Sequence, residues 1–266
     1  MLGPPYILAL CLCFALVTNG FAQQGWGNIK GKVEWTPAVI PAPENLVDGV
    51  PPANIPPCVK GGVLPSDELL IDKGTKGVAN TLIWLGSLKD RESAGRKPAL
   101  IPIHPDRKAL PKEAVIIDQP CCLFEPRILV VREGQKLEVR NSAGFPHSFK
   151  FDGDSQINGG KNVSIPPGGK QEFSLKAEKK KIPITCALHG WMKGTMLVLD
   201  HPYFAISQKD GTFEIKDAPA GRYVLFVYHE KAGWLHKPDD PKKLSAGQTI
   251  EIKPGETLDL GKLAAK

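Results

Sequence analysis

Residues 184–198 read ITCALHGWMKGTMLV, and within them Cys186, His189 and Met192 fall on a C-x2-H-x2-M spacing. One tight loop therefore gathers a thiolate, an imidazole and a thioether. This donor set suits copper: sulfur stabilises Cu(I), imidazole serves both oxidation states, and a weak axial thioether tunes the potential. Zinc fits less well, because structural zinc sites take Cys, His or carboxylate and not a thioether. A second imidazole must come from elsewhere in the fold. The sequence offers His147 in NSAGFPHSFKFDG (141–153), at the end of a strand-like run that starts at Lys136. Taken singly, a Cys or Met is ordinarily a core residue; it is the joint pattern of four residues that marks a site.

Both stretches resemble one family. NSAGFPHSFKFDG is similar to the plastocyanin segment that carries the first copper-binding histidine, down to its Ala-Gly-Phe-Pro-His core at 143–147. CALHGWM (186–192), followed by Lys-Gly, resembles the short ligand loop of amicyanin. The likeness spans about residues 112 to 200 and implies a cupredoxin domain, a Greek-key β-sandwich holding one type 1 copper ion. His147, Cys186 and His189 would be its planar ligands and Met192 its axial one. The resemblance also points the backbone N–H of Ser148 at the thiolate. Relatives carry Asn at the position of Ser148, where it braces the two ligand loops, and Pro at that of Leu188. Leu188 therefore adds an N–H that proline lacks. A binuclear copper centre needs a second Cys in the ligand loop, and this loop has only Cys186. Trp191 reads either as part of a partner-docking patch or an electron path, or as packing against a second sandwich.

Among the 266 residues, 27 Gly and 25 Pro punctuate short runs of Val, Ile, Leu and Phe, which reads as an all-β chain with many turns. The net charge of +6 is spread out, without the basic helix or aromatic–basic stripe of a nucleic-acid binder. The Lys179–Lys181 run reads as a solvated turn or a docking patch. Residues 7–17, ILALCLCFALV, form a leader-length apolar run, and Gly20-Phe21-Ala22 precedes a cut before Gln23. The expectation is a signal peptide over 1–22 and an exported, periplasmic or extracellular (cell-surface) protein that does not span the membrane. Export permits a disulfide; Cys58 with Cys121 or Cys122 is the expected bridge, with Cys122 the preferred partner and Cys121 then unbridged.

The ends of the chain carry a second pattern. GNIKGKVEW (27–35) and GVANTLIWL (77–85) read as strands, and the seven prolines between Pro37 and Pro57 make Thr36–Pro65 an extended surface loop. RILVV (127–131) and QKLEVRNS (135–142) read as a strand pair about Glu133-Gly134. After His201, Asp210-Gly211 reads as a hairpin turn and Pro219-Ala220-Gly221 as a turn before a long strand. DGTFEI and PAGRYVL resemble carboxypeptidase regulatory-like domains, with a transthyretin-like sandwich. This implies a second, smaller sandwich split into 27–86 and 201–266, with the cupredoxin segment, 112–200, inserted in it. His104, His201, His229 and His236 make no paired His-x-His motif and read as structural.

The functional expectation is one-electron transfer to a redox partner protein, with no enzymatic activity of its own. The rivals are a copper-sequestering protein and a cell-surface interaction module. All three need the same ligands.

Overall fold

β-branched and aromatic runs bounded by glycine and proline favour strands and turns, and the chain folds accordingly. The computed structural model describes residues 25–57, 59–92, 95–237 and 247–266. The expected leader, 1–22, lies outside the described residues, as does Cys58. Among the described residues sixteen strands run in chain order: β1 Trp26–Trp35, β2 Leu82–Gly86, β3 Val115–Ile117, β4 Ile128–Arg132, β5 Lys136–Arg140, β6 His147–Asp152, β7 Gly160–Ile165 and β8 Lys170–Ser174. They continue as β9 Ile182–Thr185, β10 Lys193–Leu199, β11 Phe204–Ile206, β12 Thr212–Pro219, β13 Gly221–His229, β14 Gly233–Trp234, β15 Gln248–Ile252 and β16 Thr257–Ala265. The chain is all-β.

The middle strands form two sheets, one of five strands in the order β4-β10-β9-β6-β7 and one of three, β3-β5-β8. Leu129, Val131, Val139, Phe149, Phe173 and Met196 fill the core they share. The first and last strands form two more sheets, β12-β1-β16 and β11-β2-β13-β14, with β15 paired to β13. Ile29, Val33, Ile83, Ile215, Leu225 and Ile252 join these in a separate core. Both ends of the chain thus meet in one core, and β16 lies parallel to β1.

Alternation along a strand sends successive side chains to opposite faces. In β4, Leu129 and Val131 enter the middle core, while Ile128 and Val130 point to a third cluster with Leu197, Leu199, Leu82 and Trp84. β2, β4 and β10 are therefore buried on both faces, and the third cluster glues the two pairs of sheets together. Polar contacts lock the same boundary. The buried Arg127 is paired with Asp67 at 2.6 Å and with Glu230, and Thr195 donates to Glu230 at 2.5 Å. The Lys179–Lys181 run is neither a free turn nor a patch. Lys181 Nζ sits 3.9 and 4.1 Å from the ring centroids of Tyr228 and Trp234, and Lys179 pairs with Asp90 at 3.3 Å.

Four local expectations are corrected. β4 and β5 are not a pair: β4 lies against β10, and β5 lies between β3 and β8. The Glu133-Gly134 turn passes the chain between sheets, because the inward faces of both strands are needed on opposite sides of one core. The same holds after His201, where β12 pairs with β1 and β13 with β2. Gly211 has φ +83°, and a Cβ there would come within 2.1 Å of the Val33 oxygen, so the turn is pressed onto β1 instead of closing a hairpin. The strand expected from 77 starts only at Leu82, since Asn80 takes φ +60°. Finally, His147 opens β6 and does not end the run from Lys136. The Asn141 side chain donates to the oxygens of Phe145 and Ile165, holding a loop between the two strands.

Arg127 is the most sensitive point of the boundary. Removing one partner of a buried ion pair strands the other charge, at a cost of about 3–5 kcal/mol. Arg127→Met should lower the urea midpoint by that equivalent, whereas a loss below 1 kcal/mol would show that Glu230 is rescued by water.

Candidate metal centre

Three loops at one end of the middle sheets converge. The first runs from Asp118 to Glu125 and is closed by reciprocal backbone bonds of 2.8 and 2.9 Å between those residues. The second, 141–147, leads into β6. The third, 186–192, joins β9 to β10, and its turn is set by backbone bonds from Met192 N–H to His189 O and from Cys186 N–H to Met192 O. Asp118 fastens the first to the second: its carboxylate accepts from Ser142 Oγ at 2.6 Å and from Ser142 N–H at 3.1 Å. Gln119 Nε2 donates to the Ser148 oxygen at 3.1 Å.

These loops bring the expected ligands together. Cys186 Sγ lies 3.8 Å from His147 Nδ1 and 3.6 Å from His189 Nδ1, and the two nitrogens are 3.1 Å apart. Donors at tetrahedral bond lengths of about 2.0–2.3 Å are separated by roughly 3.3–3.8 Å, so a single ion fits among these three atoms. Met192 is fully buried in the same core as Cys186. His147 is also fully buried, and its Nε2 has no hydrogen-bond partner.

The thiol of Cys186 is ionised by its surroundings. Burial opposes the charge, but His147, His189 and the backbone N–H groups of Ser148 and Leu188 outweigh it and bring the pKa to about 5. The Ser148 N–H lies 3.3 Å from the sulfur, where the resemblance puts it. The brace that relatives make with Asn is replaced. Ser148 Oγ accepts from Ala187 N–H at 2.7 Å and so ties the second loop to the third.

Above the site, Phe145 packs its ring 5.0 Å from His147 and 5.9 Å from His189, and Trp191 lies 5.4 Å from His189. Trp191 is half-buried beside this cluster. It packs on the middle core and on Val47, Val59 and Leu64 of the proline-rich stretch. That stretch makes only single 3-10 turns at Pro52–Asn54 and Lys60–Gly62 and runs over the surface, with those three side chains buried as its anchors. Leu188, at 57% exposure, marks the open edge next to the half-buried His189.

Cys122 is the residue that sequence reasoning misplaced. It was expected in a bridge with Cys58, but it is a fully buried thiol; the disulfide-bonded neighbour is Cys121. Burial pushes the Cys122 thiol up to about 12, and nearby Cys186 adds to the effect. Its Sγ and nitrogens of His147 and His189 all lie within 4.8 Å of one another. Nothing in the spacing of Cys122 signals this, since its loop meets the others only through the fold.

The other histidines accept backbone N–H groups at Nδ1: His104 from Asp106, His201 from Tyr203, His229 from Lys231 and Ala232, and His236 from Val227. Burial lowers His201 and His229 to about 4, so both are neutral at pH 7. None joins the Cys–His cluster, the one such group among the described residues.

Fold and site define an all-β protein with a buried sulfur–imidazole donor cluster. No family model matches the chain. No curated protein matches it. Solved structures resemble part of it. A Cu(I) form of an amicyanin variant is 16% identical over 34% of this chain and 85% of its own, with a TM-score of 0.30. A purple cupredoxin from Nitrosopumilus maritimus is 18% identical over 32% of this chain and 98% of its own, at 0.27. A copper-containing nitrite reductase from Thermus scotoductus is 21% identical over 38% of this chain and 27% of its own, at 0.30. No helix among the described residues is long and apolar enough to cross a membrane.

A thiol whose pKa is lowered by folding stabilises the native state fully above its unfolded pKa, near 9, and loses that contribution as pH falls through about 5. The metal-free protein should therefore show a thiolate absorbance step centred near pH 5 that Cys186→Ala removes. A midpoint above pH 8 would contradict the hydrogen-bonded thiolate.

Proposed function

We propose that this chain binds one type 1 copper ion through His147, Cys186 and His189, with Met192 axial, and carries single electrons to a partner protein without being an enzyme itself. The observation that carries this reading is the triangle of Cys186 Sγ and two imidazole nitrogens with sides of 3.1–3.8 Å. Copper, when bound, supplies a Cu(I)/Cu(II) couple. The protein's part is to keep the donors still, because a site that need not rearrange exchanges electrons with little reorganisation. The Asp118–Ser142, Gln119–Ser148 and Ser148–Ala187 hydrogen bonds do this from three directions. The exposed Leu188 beside His189 is the edge a redox partner would approach. Export to the periplasm or cell surface belongs to this reading, motivated by the apolar run at 7–17. So does the assignment of β1, β2 and β11–β16 to a carboxypeptidase regulatory-like sandwich around the inserted copper domain, which the shared core of those strands supports.

A second reading, copper sequestration, is favoured by the cover of Val47, Val59 and Leu64 over Phe145 and Trp191. Adding Cu(II) should produce an intense thiolate-to-copper band that Cys186→Ala abolishes, and the loaded protein should titrate as a reversible one-electron couple. A band that survives in Cys186→Ala refutes the ligand set. Bound copper that cannot be cycled reversibly refutes electron transfer and leaves sequestration.

Leu188 is expected to set part of the potential. Its N–H lowers the electron density of the sulfur, which destabilises Cu(II) more than Cu(I), since Cu(II) depends more on thiolate donation. Leu188→Pro removes that donor. One modest hydrogen bond is about 1 kcal/mol, or about 40 mV where a tenfold change is 59 mV for one electron. The potential of Leu188→Pro should fall by that amount with copper still bound; an unchanged or higher value rejects the role of the N–H.

A further inference from the structure

We propose that Cys122 is a second thiol ligand, so that the site closes around a soft cation such as Cu(I) with two cysteine sulfurs and two imidazoles. The inference rests on the reading of the site as a metal centre, but it changes the donor set. A buried cysteine is by itself an ordinary small core residue. What distinguishes Cys122 is its company: its Sγ lies within 4.8 Å of ligand nitrogens of both His147 and His189, the two imidazoles that also flank Cys186 Sγ. Both triads share one pair of histidines, and a sulfur from a different loop completes each.

The position of Cys122 is held. Its loop is closed by the Asp118–Glu125 bonds and fastened to the loop of His147 through Asp118 and Ser142. Val47, Val59 and Leu64 pack beside Cys122 with Phe145 and Trp191. From at most 4.8 Å, the sulfur needs a shift of no more than about 1 Å to reach the donor separation of a tetrahedral ion with bonds of about 2.3 Å. On coordination the Cys122 S–H bond breaks, a metal–sulfur bond forms and the proton leaves to solvent, with no change of oxidation state. Two thiolates and two imidazoles in tetrahedral array suit a d10 ion. The second thiolate therefore favours Cu(I) over Cu(II) in geometry and softness. Met192 then remains a longer, weaker contact or a packing residue.

X-ray absorption of the full chain loaded with Cu(I) tests this, together with competition for Cu(I) against a chelator of known affinity. The wild type should show two short copper–sulfur contacts, and Cys122→Ala one, with affinity lower by at least tenfold. A single short contact in the wild type overturns the proposal without recourse to any variant. So does a Cys122→Ala protein that folds, binds as tightly as the wild type and keeps the same contacts, while Cys186→Ala loses copper; that outcome leaves the single-thiolate site standing. If the wild type binds no Cu(I), or Cys186→Ala binds as the wild type does, the copper reading itself fails and this proposal with it.

Discussion

A buried negative charge governs the middle of this molecule. Placing the sulfur of Cys186 in an apolar core as a thiolate costs free energy unless donors surround it. The structure supplies those donors from different loops: two imidazoles, the N–H of Ser148 and the N–H of Leu188. Each must arrive at the right place, and most of the local hydrogen bonding serves that end. Asn141 fixes the loop before His147, Asp118 ties that loop to its neighbour, and the Ser148 hydroxyl takes up the Ala187 N–H. The ordinary business of satisfying buried backbone groups and the positioning of the Cys–His cluster are here the same set of contacts.

The second constraint is the need to bury three strands on both faces. β2, β4 and β10 carry large apolar side chains at successive positions, so a single core cannot cover them. Packing two pairs of sheets against each other does, through Leu82, Trp84, Ile128, Val130, Leu197 and Leu199. This links the site to the ends of the chain, because β10 begins directly after Met192 and its other face meets β2. The Arg127–Asp67–Glu230 contacts add register to that boundary more than energy, since buried ion pairs offset much of their attraction by desolvation.

The proline-rich stretch shows how composition and burial separate. Its prolines do prevent strands, and Thr36–Pro65 has only single helical turns. Yet Val47, Val59 and Leu64 reach inward and cap the aromatic side chains over the histidines. A segment poor in regular structure is thereby the part that limits access to the ligands. Leu188 and the edge of His189 remain as the approach.

Read alone, the amino-acid order established the all-β class and most strand positions, and it marked Cys186, His189, Met192 and His147 as candidate ligands. These follow from local facts: period-two alternation, the punctuation of glycine and proline, and donor atoms spaced along one short loop. The resemblance to the cupredoxins, and not the spacing, pointed to the Ser148 N–H and, through the proline that Leu188 replaces, to the Leu188 N–H. The amino-acid order could not tell which consecutive strands pair, because the turns at Glu133-Gly134 and Asp210-Gly211 have the residues of hairpins, while long-range burial sends the strands on either side to different sheets. Nor could it locate Cys122. Two adjacent cysteines look alike in sequence, and only the path of the chain between Asp118 and Glu125 determines that Cys122 faces the histidines and Cys121 takes the disulfide. Contacts between loops far apart in the chain are decided by which core each flanking strand must fill, and that exists only once the sheets have packed.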